Sequence, residues 1–204
     1  MIYIYGDSHA KKSFLNLKLS FVDCHQQSVT MHRIGRDNII INFNPDDHDK
    51  DSIICLSYGE VDCRCHVQRQ MDLGRNEDDI IQELVVNYVK TIVNNISEYK
   101  KVIIVAVIPP TKQCEYENIH GPIQHEFPFI GSDEDRVRFT TKMNKLLEQI
   151  CSNHDNIIFY DPYSYYRRED GTLKFELSDT YGHILHNSVF LDKFTELYNE
   201  IYMS

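Results

Sequence analysis

The sequence is poor in several features that mark special protein classes. It has no tryptophan, 8 glycines and 6 prolines in 204 residues, and its longest apolar run, Val102–Pro110, is far too short for a membrane-spanning helix. It contains no internal repeat, low-complexity tract or linker, so we expect a single domain over residues 1–204. The chain opens on strand-like residues without a basic stretch followed by an apolar one. We therefore expect no signal peptide and a cytoplasmic protein.

Positive charge is scarce too. The 21 Lys and Arg residues are outnumbered by 31 Asp and Glu residues, which gives a formal net charge of −10. A diffuse acidic balance of this kind disfavours nucleic acid or an anionic membrane as the main partner.

Paired metal-ligand spacings are missing as well. The six cysteines lie in a long chain without a secretion signal, which favours reduced thiols over a disulfide framework. Cys63-x-Cys65-His66 together with Cys24-His25 offers an alternative zinc site, but neither group has the usual Cys-x-x-Cys or His-x-x-x-His spacing. Cys63 is disfavoured as a nucleophile because no base is placed for it. We expect neither a metal nor a cofactor.

Strand-like and helix-like segments alternate along the chain. Short apolar runs predict strands at Ile2–Tyr5, Val29–Ile34, Ile53–Ser57, Val102–Ile108 and Ile157–Tyr160. Apolar stripes at helical spacing predict helices over 77–97, 132–151 and about 188–202. This alternation predicts an α/β fold with a mostly parallel sheet between helices. Ligands of such sheets bind at the carboxyl ends of the strands, so the loops 6–9, 35–38, 58–75 and 109–131 are expected near the site.

The turn after the first strand carries the first candidate nucleophile. Gly6-Asp7-Ser8-His9 follows a β-branched and aromatic run and precedes a helix-compatible stretch. A serine on such a turn can attack an acyl carbon while the first N–H groups of the helix hold the oxyanion. The simpler interpretation of Ser8 is an ordinary helix N-cap.

A matching acid–histidine pair lies near the end of the sequence. Asp179 precedes His183 by four residues, so the carboxylate can fix the imidazole tautomer while the other ring nitrogen reaches Ser8. Such pairs are common, and the pair could equally be a turn cap and a surface histidine. His186 is a second candidate for the base.

The order of these motifs resembles the SGNH, or GDSL-like, hydrolases over nearly the whole chain. The matching blocks are Gly6-Asp7-Ser8-His9, Gly35, Gly59-Glu60-Val61-Asp62 and Asp179…His183. The resemblance implies a three-layer α/β/α sandwich with a five-stranded, flavodoxin-like sheet. It also implies a Ser8–His183–Asp179 triad and an oxyanion hole formed by the N–H groups of Ser8 and Gly35. It gives weaker indications that Asp7, His9, Gly59, Glu60, Asp62 and Arg64 contact substrate.

Two positions depart from the family pattern. Val61 stands where the family carries the asparagine that donates to the oxyanion, so another donor is needed, with Asn38 and Arg64 as candidates. Arg64 could instead form a structural ion pair with Glu60 or Asp62. The Asp179–His183 spacing is one residue longer than the common Asp-x-x-His.

The resemblance implies a serine esterase that removes an acyl group, most simply O-acetyl, from a small-molecule or glycan ester. An O-acyltransferase on the same triad and a catalytically silent carbohydrate-binding protein are the alternatives. In the long loop, His120 and His125 are possible substrate contacts, although exposed loop histidines are commoner. The tyrosine-rich segment 160–168 fits half-buried packing better than a ligand site.

Overall fold

The computed structural model describes residues 1–96, 99, 101–124 and 126–203. In this part of the chain, five parallel strands form one sheet in the order β2-β1-β3-β4-β5. The strands are β1 Ile2–Gly6, β2 Phe21–Asp23, β3 Ile53–Ser57, β4 Lys101–Val105 and β5 Ile157–Tyr160. The prediction of a five-stranded parallel α/β sheet is thereby confirmed.

Helices follow most of the strands. They are α1 Ser8–Ser13, α2 Met31–Asp37, α3 Val67–Asp72, α4 Glu77–Ile96, α5 Gln113–His120, α6 Asp133–Cys151 and α7 Ser188–Met203. A short π-helical stretch, Asp62–His66, leads into α3. The capping box predicted for α6 is present, since the Ser132 side chain accepts from the Asp135 backbone N–H and the Asp135 carboxylate accepts from the Ser132 backbone N–H. The last predicted residue of α4, Ser97, lies outside the described residues.

Two hydrophobic cores hold the sheet between layers of helices. Alternate strand residues such as Ile54 and Leu56 face a core that includes buried residues of α2, α4 and α6. Their neighbours Ile53 and Cys55 face a second core with Phe14 and buried residues of α7. Because both faces of the central part of the sheet are covered, β3 is buried along its whole length.

The second predicted strand, Val29–Ile34, was wrong. Residues from Met31 onward form α2, with Thr30 as the N-cap whose hydroxyl accepts from the Arg33 N–H at 3.0 Å. The true second strand, β2, is a three-residue edge strand, too short to show a period of two.

The fourth predicted strand ends three residues early, at Val105. The backbone N–H and C=O of Val107 bond instead to the buried side chain of Asn144 on α6, at 2.7 and 2.9 Å. These bonds replace the strand ladder and direct the chain away from the sheet.

The tyrosine-rich segment packs more deeply than the half-buried packing predicted from the sequence, because Tyr163 and Tyr166 are fully buried in the second core. Among the described residues, no helix is both long enough and apolar enough to span a membrane.

Candidate active site

The turn between β1 and α1 positions Ser8. A Cβ on Gly6 would lie 2.2 Å from the Ala10 Cβ and 2.6 Å from the Ser57 carbonyl oxygen, so only glycine fits there. Asp7 is the N-cap of α1, and its buried carboxylate accepts from the His9 backbone N–H at 2.9 Å. Ser8 is the first residue of α1, so its N–H is one of the helix N-terminal donors without an intrahelical partner.

His183 joins Ser8 to Asp179. Its Nε2 lies 3.0 Å from the Ser8 Oγ, and its Nδ1 lies 2.9 Å from an Asp179 carboxylate oxygen. The two ring nitrogens thus contact different partners, 175 and 4 residues away. This order of contacts allows the imidazole to take a proton from the hydroxyl while the carboxylate holds its orientation.

The long Asp–His spacing is accommodated by a closed loop. The Asp179 N–H donates to the His183 carbonyl at 2.7 Å, and the His183 N–H donates to the Asp179 carboxylate at 3.0 Å. The additional residue in this loop is accommodated at Gly182, whose φ of +82° favours glycine. A Cβ at this position would clash with the Thr111 hydroxyl oxygen. His186 is exposed, and its backbone bonds to Leu177 and Tyr166. His183, not His186, is the histidine that contacts Ser8.

Burial and neighbouring groups shift the pKa values of His183 and Asp179. Burial first, and then the charge of the neighbouring His9, lower the pKa of His183, against the opposite effect of Asp179. Burial alone would raise the pKa of Asp179, but hydrogen bonds from His183 lower it. A histidine with a lowered pKa is neutral, and so able to act as a base, at neutral pH.

A buried chain of charges lies beside the triad. A Glu60 carboxylate oxygen is 3.0 Å from the Arg64 Nε, and the other is 3.4 Å from the His9 Nε2. Burial alone would raise the pKa of Glu60, but Arg64 and His9 lower it to about 2. Burial alone would lower the pKa of His9, yet Glu60 and then Asp7 raise it. The His9 and His183 ring centroids are 4.6 Å apart, so a positive charge on His9 acts directly on the base.

A cavity of about 240 Å³ opens over Ser8 and His183. Its floor includes Val61, which presents hydrocarbon where the family resemblance places an asparagine. Aromatic side chains, which sequence reasoning had not singled out, form much of the wall: Tyr116, Phe127, Phe129 and Tyr181. The long loop that was expected near the site supplies Phe127 and Phe129. His120 lies at the edge, where it stacks on Tyr181 at 4.2 Å, whereas His125 is outside the described residues.

Ser28 also lines this cavity, and no sequence signal had pointed to it. It follows β2 and has a left-handed backbone, with a φ of +61°. A serine in this region costs conformational energy, which indicates that the surrounding loop fixes its position.

Gly35 and Asn38 do not line the cavity that contains Ser8. Gly35 lies within α2 against α4, where a Cβ would be 2.9 Å from the Asn87 Cβ. Asn38 ends α2 in the left-handed region, and its side-chain oxygen is 3.4 Å from the Thr91 hydroxyl on α4. Because α2 replaces the predicted second strand, both residues contact α4.

The contacts of Gly59 and Asp62 indicate structural roles for both residues. Gly59 has a φ of +115°, and a Cβ would lie 2.7 Å from the Val107 Cγ2. Asp62 is fully buried, and its carboxylate accepts from the N–H groups of Met31 and His32 at the start of α2. Burial raises its pKa to about 7. Asp7, His9, Glu60 and Arg64 line the cavity, whereas Gly59 and Asp62 do not.

Two cysteines of the alternative zinc site, Cys63 and Cys65, contact other protein groups. The Cys63 thiol contacts the Met143 sulfur at 3.1 Å, and the Cys65 thiol contacts the Val61 carbonyl at 3.2 Å. Among the described residues, no group of three or more His, Cys, Asp or Glu side chains is placed to hold a metal ion.

Comparison with known proteins rests on structure, since the sequence matches no protein-family model and no curated protein. The chain is similar to a candidate platelet activating factor from Streptococcus pneumonia, with a TM-score of 0.64, 14% identity, and 97% of this chain and 82% of that chain covered. It is similar to a candidate acylhydrolase from Bacteroides fragilis, with a TM-score of 0.60, 14% identity, and coverage of 98% and 86%. It is also similar to a GDSL-like lipase from Bacteroides thetaiotaomicron, with a TM-score of 0.61, 13% identity, and coverage of 98% and 87%. The chain therefore has the fold of the SGNH, or GDSL-like, ester hydrolases.

Proposed function

We propose that this protein is a serine esterase with Ser8 as the nucleophile, His183 as the general base and Asp179 as the orienting acid. The observation that carries the proposal is the pair of contacts made by His183, at 3.0 Å to the Ser8 Oγ and 2.9 Å to the Asp179 carboxylate. Ser8 and His183 line an open cavity in a chain with an ester-hydrolase fold.

In the proposed reaction, His183 takes the Ser8 proton as the Ser8 Oγ attacks the ester carbonyl. The alcohol leaves with that proton, and the acyl group stays on Ser8 as an ester. Water, deprotonated by His183, then attacks the acyl-enzyme and releases the carboxylic acid. Asp179 stabilises the transient imidazolium and is not itself protonated.

The Ser8 N–H would donate to the oxyanion. Val61 supplies no side-chain donor, and the loss of one such donor commonly costs on the order of a hundredfold in rate. The positive charge of the Arg64–Glu60–His9 chain lies beside this position and would compensate for part of that loss. Arg64 would then contribute its positive charge while it is paired with Glu60, and not as an isolated hydrogen-bond donor.

A short acyl group on a sugar fits the cavity best. A volume of about 240 Å³ is below the roughly 300–1,000 Å³ typical of drug-sized ligand sites. The aromatic rings of Tyr116, Phe129 and Tyr181 offer flat apolar faces to the ring of a carbohydrate. We therefore propose O-acetyl on a carbohydrate as the ester.

The test is p-nitrophenyl acetate turnover by wild type and Ser8→Ala, with the butyrate and octanoate esters alongside. Ser152→Ala, which removes an exposed hydroxyl at the end of α6, is the matched control. We expect turnover to disappear only in Ser8→Ala and to fall with acyl length. Equal turnover in folded wild type and Ser8→Ala would contradict the esterase and favour a binding protein.

The same assay identifies an acyltransferase. A single burst of p-nitrophenol without turnover, followed by turnover when an acceptor sugar is added, would show that a sugar hydroxyl and not water accepts the acyl group.

A further inference from the structure

A second cavity adjoins the one over Ser8. Ser28 and Val61 line both, and the second cavity, of about 430 Å³, extends past them to His32 and His66. A further recess of about 250 Å³ shares His32 and His66 and continues toward α4. A continuous depression thus runs from the candidate nucleophile, past Val61, to a pair of histidines.

The two histidines lie ring against ring, with centroids 4.1 Å apart and planes tilted by 31°. Burial first, and then the charge of Arg36, lower the pKa of His32. Burial first, and then His32, Arg69 and Arg75, lower the pKa of His66 to about 4. Both rings are therefore neutral at neutral pH, and each carries one N–H donor and one acceptor nitrogen.

Arginines surround this pair in a chain whose net charge is −10. Four of them line the two recesses: Arg33, Arg36, Arg69 and Arg75. We call these four arginines and the two histidines the basic cavity.

Three of the acidic residues that face the basic cavity have partners for their carboxylates, and a fourth, Glu126, is exposed and lines the cavity. Asp37 pairs with Arg33 and Arg36, and Glu83 pairs with Arg75. The Asp62 carboxylate caps the start of α2, and the Arg69 guanidinium donates to the Glu126 carbonyl. The pairs of Arg33, Arg36 and Arg75 are surface pairs with at least one well-exposed partner, and such pairs contribute little stability. A ligand with a planar or tetrahedral oxyanion can therefore compete for these guanidinium groups.

We propose that the basic cavity binds a phosphate group carried on the alcohol part of the ester substrate, such as a phosphorylated sugar. The role as a substrate subsite rests on the proposed esterase function, whereas the binding of phosphate does not. Because an anion beside the two rings favours protonated imidazole, phosphate binding is coupled to proton uptake by the His32–His66 pair.

The binding experiment follows the imidazole proton signals of His32 and His66 by NMR during titration with inorganic phosphate at pH 6 and pH 8. We expect saturable shifts of both signals toward the positions of protonated imidazole at both pH values, because a bound anion favours proton uptake by the two rings. In Arg36→Ala, and in the single variants His32→Gln and His66→Gln, each followed through the histidine signal that remains, affinity should fall about tenfold or more. Arg138→Ala, on the exposed face of α6, is the matched control and should bind like wild type.

Arg36 is exposed, so its substitution separates loss of binding from loss of folding. Unshifted histidine signals at 50 mM phosphate, or an equal loss in Arg36→Ala and Arg138→Ala, would overturn the proposal. Zinc ions that shift both signals where phosphate does not would also overturn it.

The source of the phosphate is resolved by replacing inorganic phosphate with a nucleoside diphosphate, a sugar phosphate or vesicles containing an anionic phospholipid. Whichever probe binds best through His32 and His66 identifies the carrier, and each of these results supports the site.

The substrate role is tested by comparing kcat/KM for an acetylated sugar phosphate and for the same acetylated sugar without phosphate. Wild type should prefer the phosphorylated ester by about tenfold or more, and Arg36→Ala should lose that preference while Arg138→Ala keeps it. Phosphate binding without hydrolysis of any ester would defeat the esterase alone. Ester hydrolysis without phosphate binding would defeat the basic cavity alone.

Discussion

Replacing His9 with glutamine should move the acid limb of the esterase pH profile to higher pH. His183 must be neutral to act as a base, so activity falls as pH drops through its pKa. The pKa of His183 is lowered first by burial and then by the charge on His9. His9→Gln removes that charge and leaves Glu60 beside the site, and both effects raise the pKa of His183.

The size of the shift follows from the geometry. Two unit charges 4.6 Å apart repel by about 0.9 kcal/mol in water and about 3.6 kcal/mol at an effective dielectric constant of about 20. These energies correspond to about 0.7 and about 2.6 pKa units. The His9 and His183 side chains are 13% and 15% exposed, and both line the open cavity, so water screens the pair. We therefore expect a shift of about one unit, toward the lower end of this range.

The assay is kcat/KM for p-nitrophenyl acetate between pH 4 and 8, which reports the ionisation of the free enzyme. His154→Gln, in the turn after α6, is the matched control and should keep the wild-type profile. An acid limb that stays in place or moves to lower pH in folded His9→Gln would refute the reasoning, because the charge on His9 would then not act on the base.

Three further substitutions test other parts of the account. Asp179→Asn should lower kcat on the order of ten-thousandfold in protein that remains folded, because the amide no longer fixes the tautomer of the base; a loss below tenfold would contradict this role. Gly59→Ala should lower the free energy of unfolding in urea by about 2 kcal/mol or more, since its φ is +115° and its Cβ would lie 2.7 Å from a Val107 methyl. Gly74→Ala, with a φ of +87° and open space around it, should cost less; equal losses would contradict the steric argument. Asn144→Leu should cost about 2–4 kcal/mol in the same urea assay, because it leaves the buried N–H and C=O of Val107 without partners; an unchanged midpoint would show that water replaces the amide.

The parts of the fold that the sequence predicted are those with strong local signals. The buried runs of β3 and β5 match the observed strands residue for residue, and the capping box of Ser132 and Asp135 starts α6 as expected. Ser8, Asp179 and His183 were singled out from short motifs near the two ends of the chain, and the fold brings these three side chains within hydrogen-bond distance.

The errors arose where distant contacts override local pattern. Val29 and Met31 have the spacing of two that is typical of a strand, but the Asp62 carboxylate, about 30 residues away in sequence, accepts from the first N–H groups of α2. No local pattern reveals such a cap. Gly35 was assigned to the oxyanion hole as the glycine after that strand, and it lies instead within α2 and outside the lining of the Ser8 cavity. The sequence indicated the long loop near the site, but not the individual aromatic side chains that line the cavity. These rings come together through tertiary contacts, such as the contact between Tyr116 and Phe129.

The most direct test of the central claim is to identify the residue that a fluorophosphonate probe labels, by mass spectrometry of the digested protein. The account predicts one adduct, on Ser8, with labelling greatly slowed in His183→Gln and absent in Ser8→Ala. An adduct on another residue, or equal labelling of wild type and His183→Gln, would contradict a nucleophile at Ser8 activated by His183.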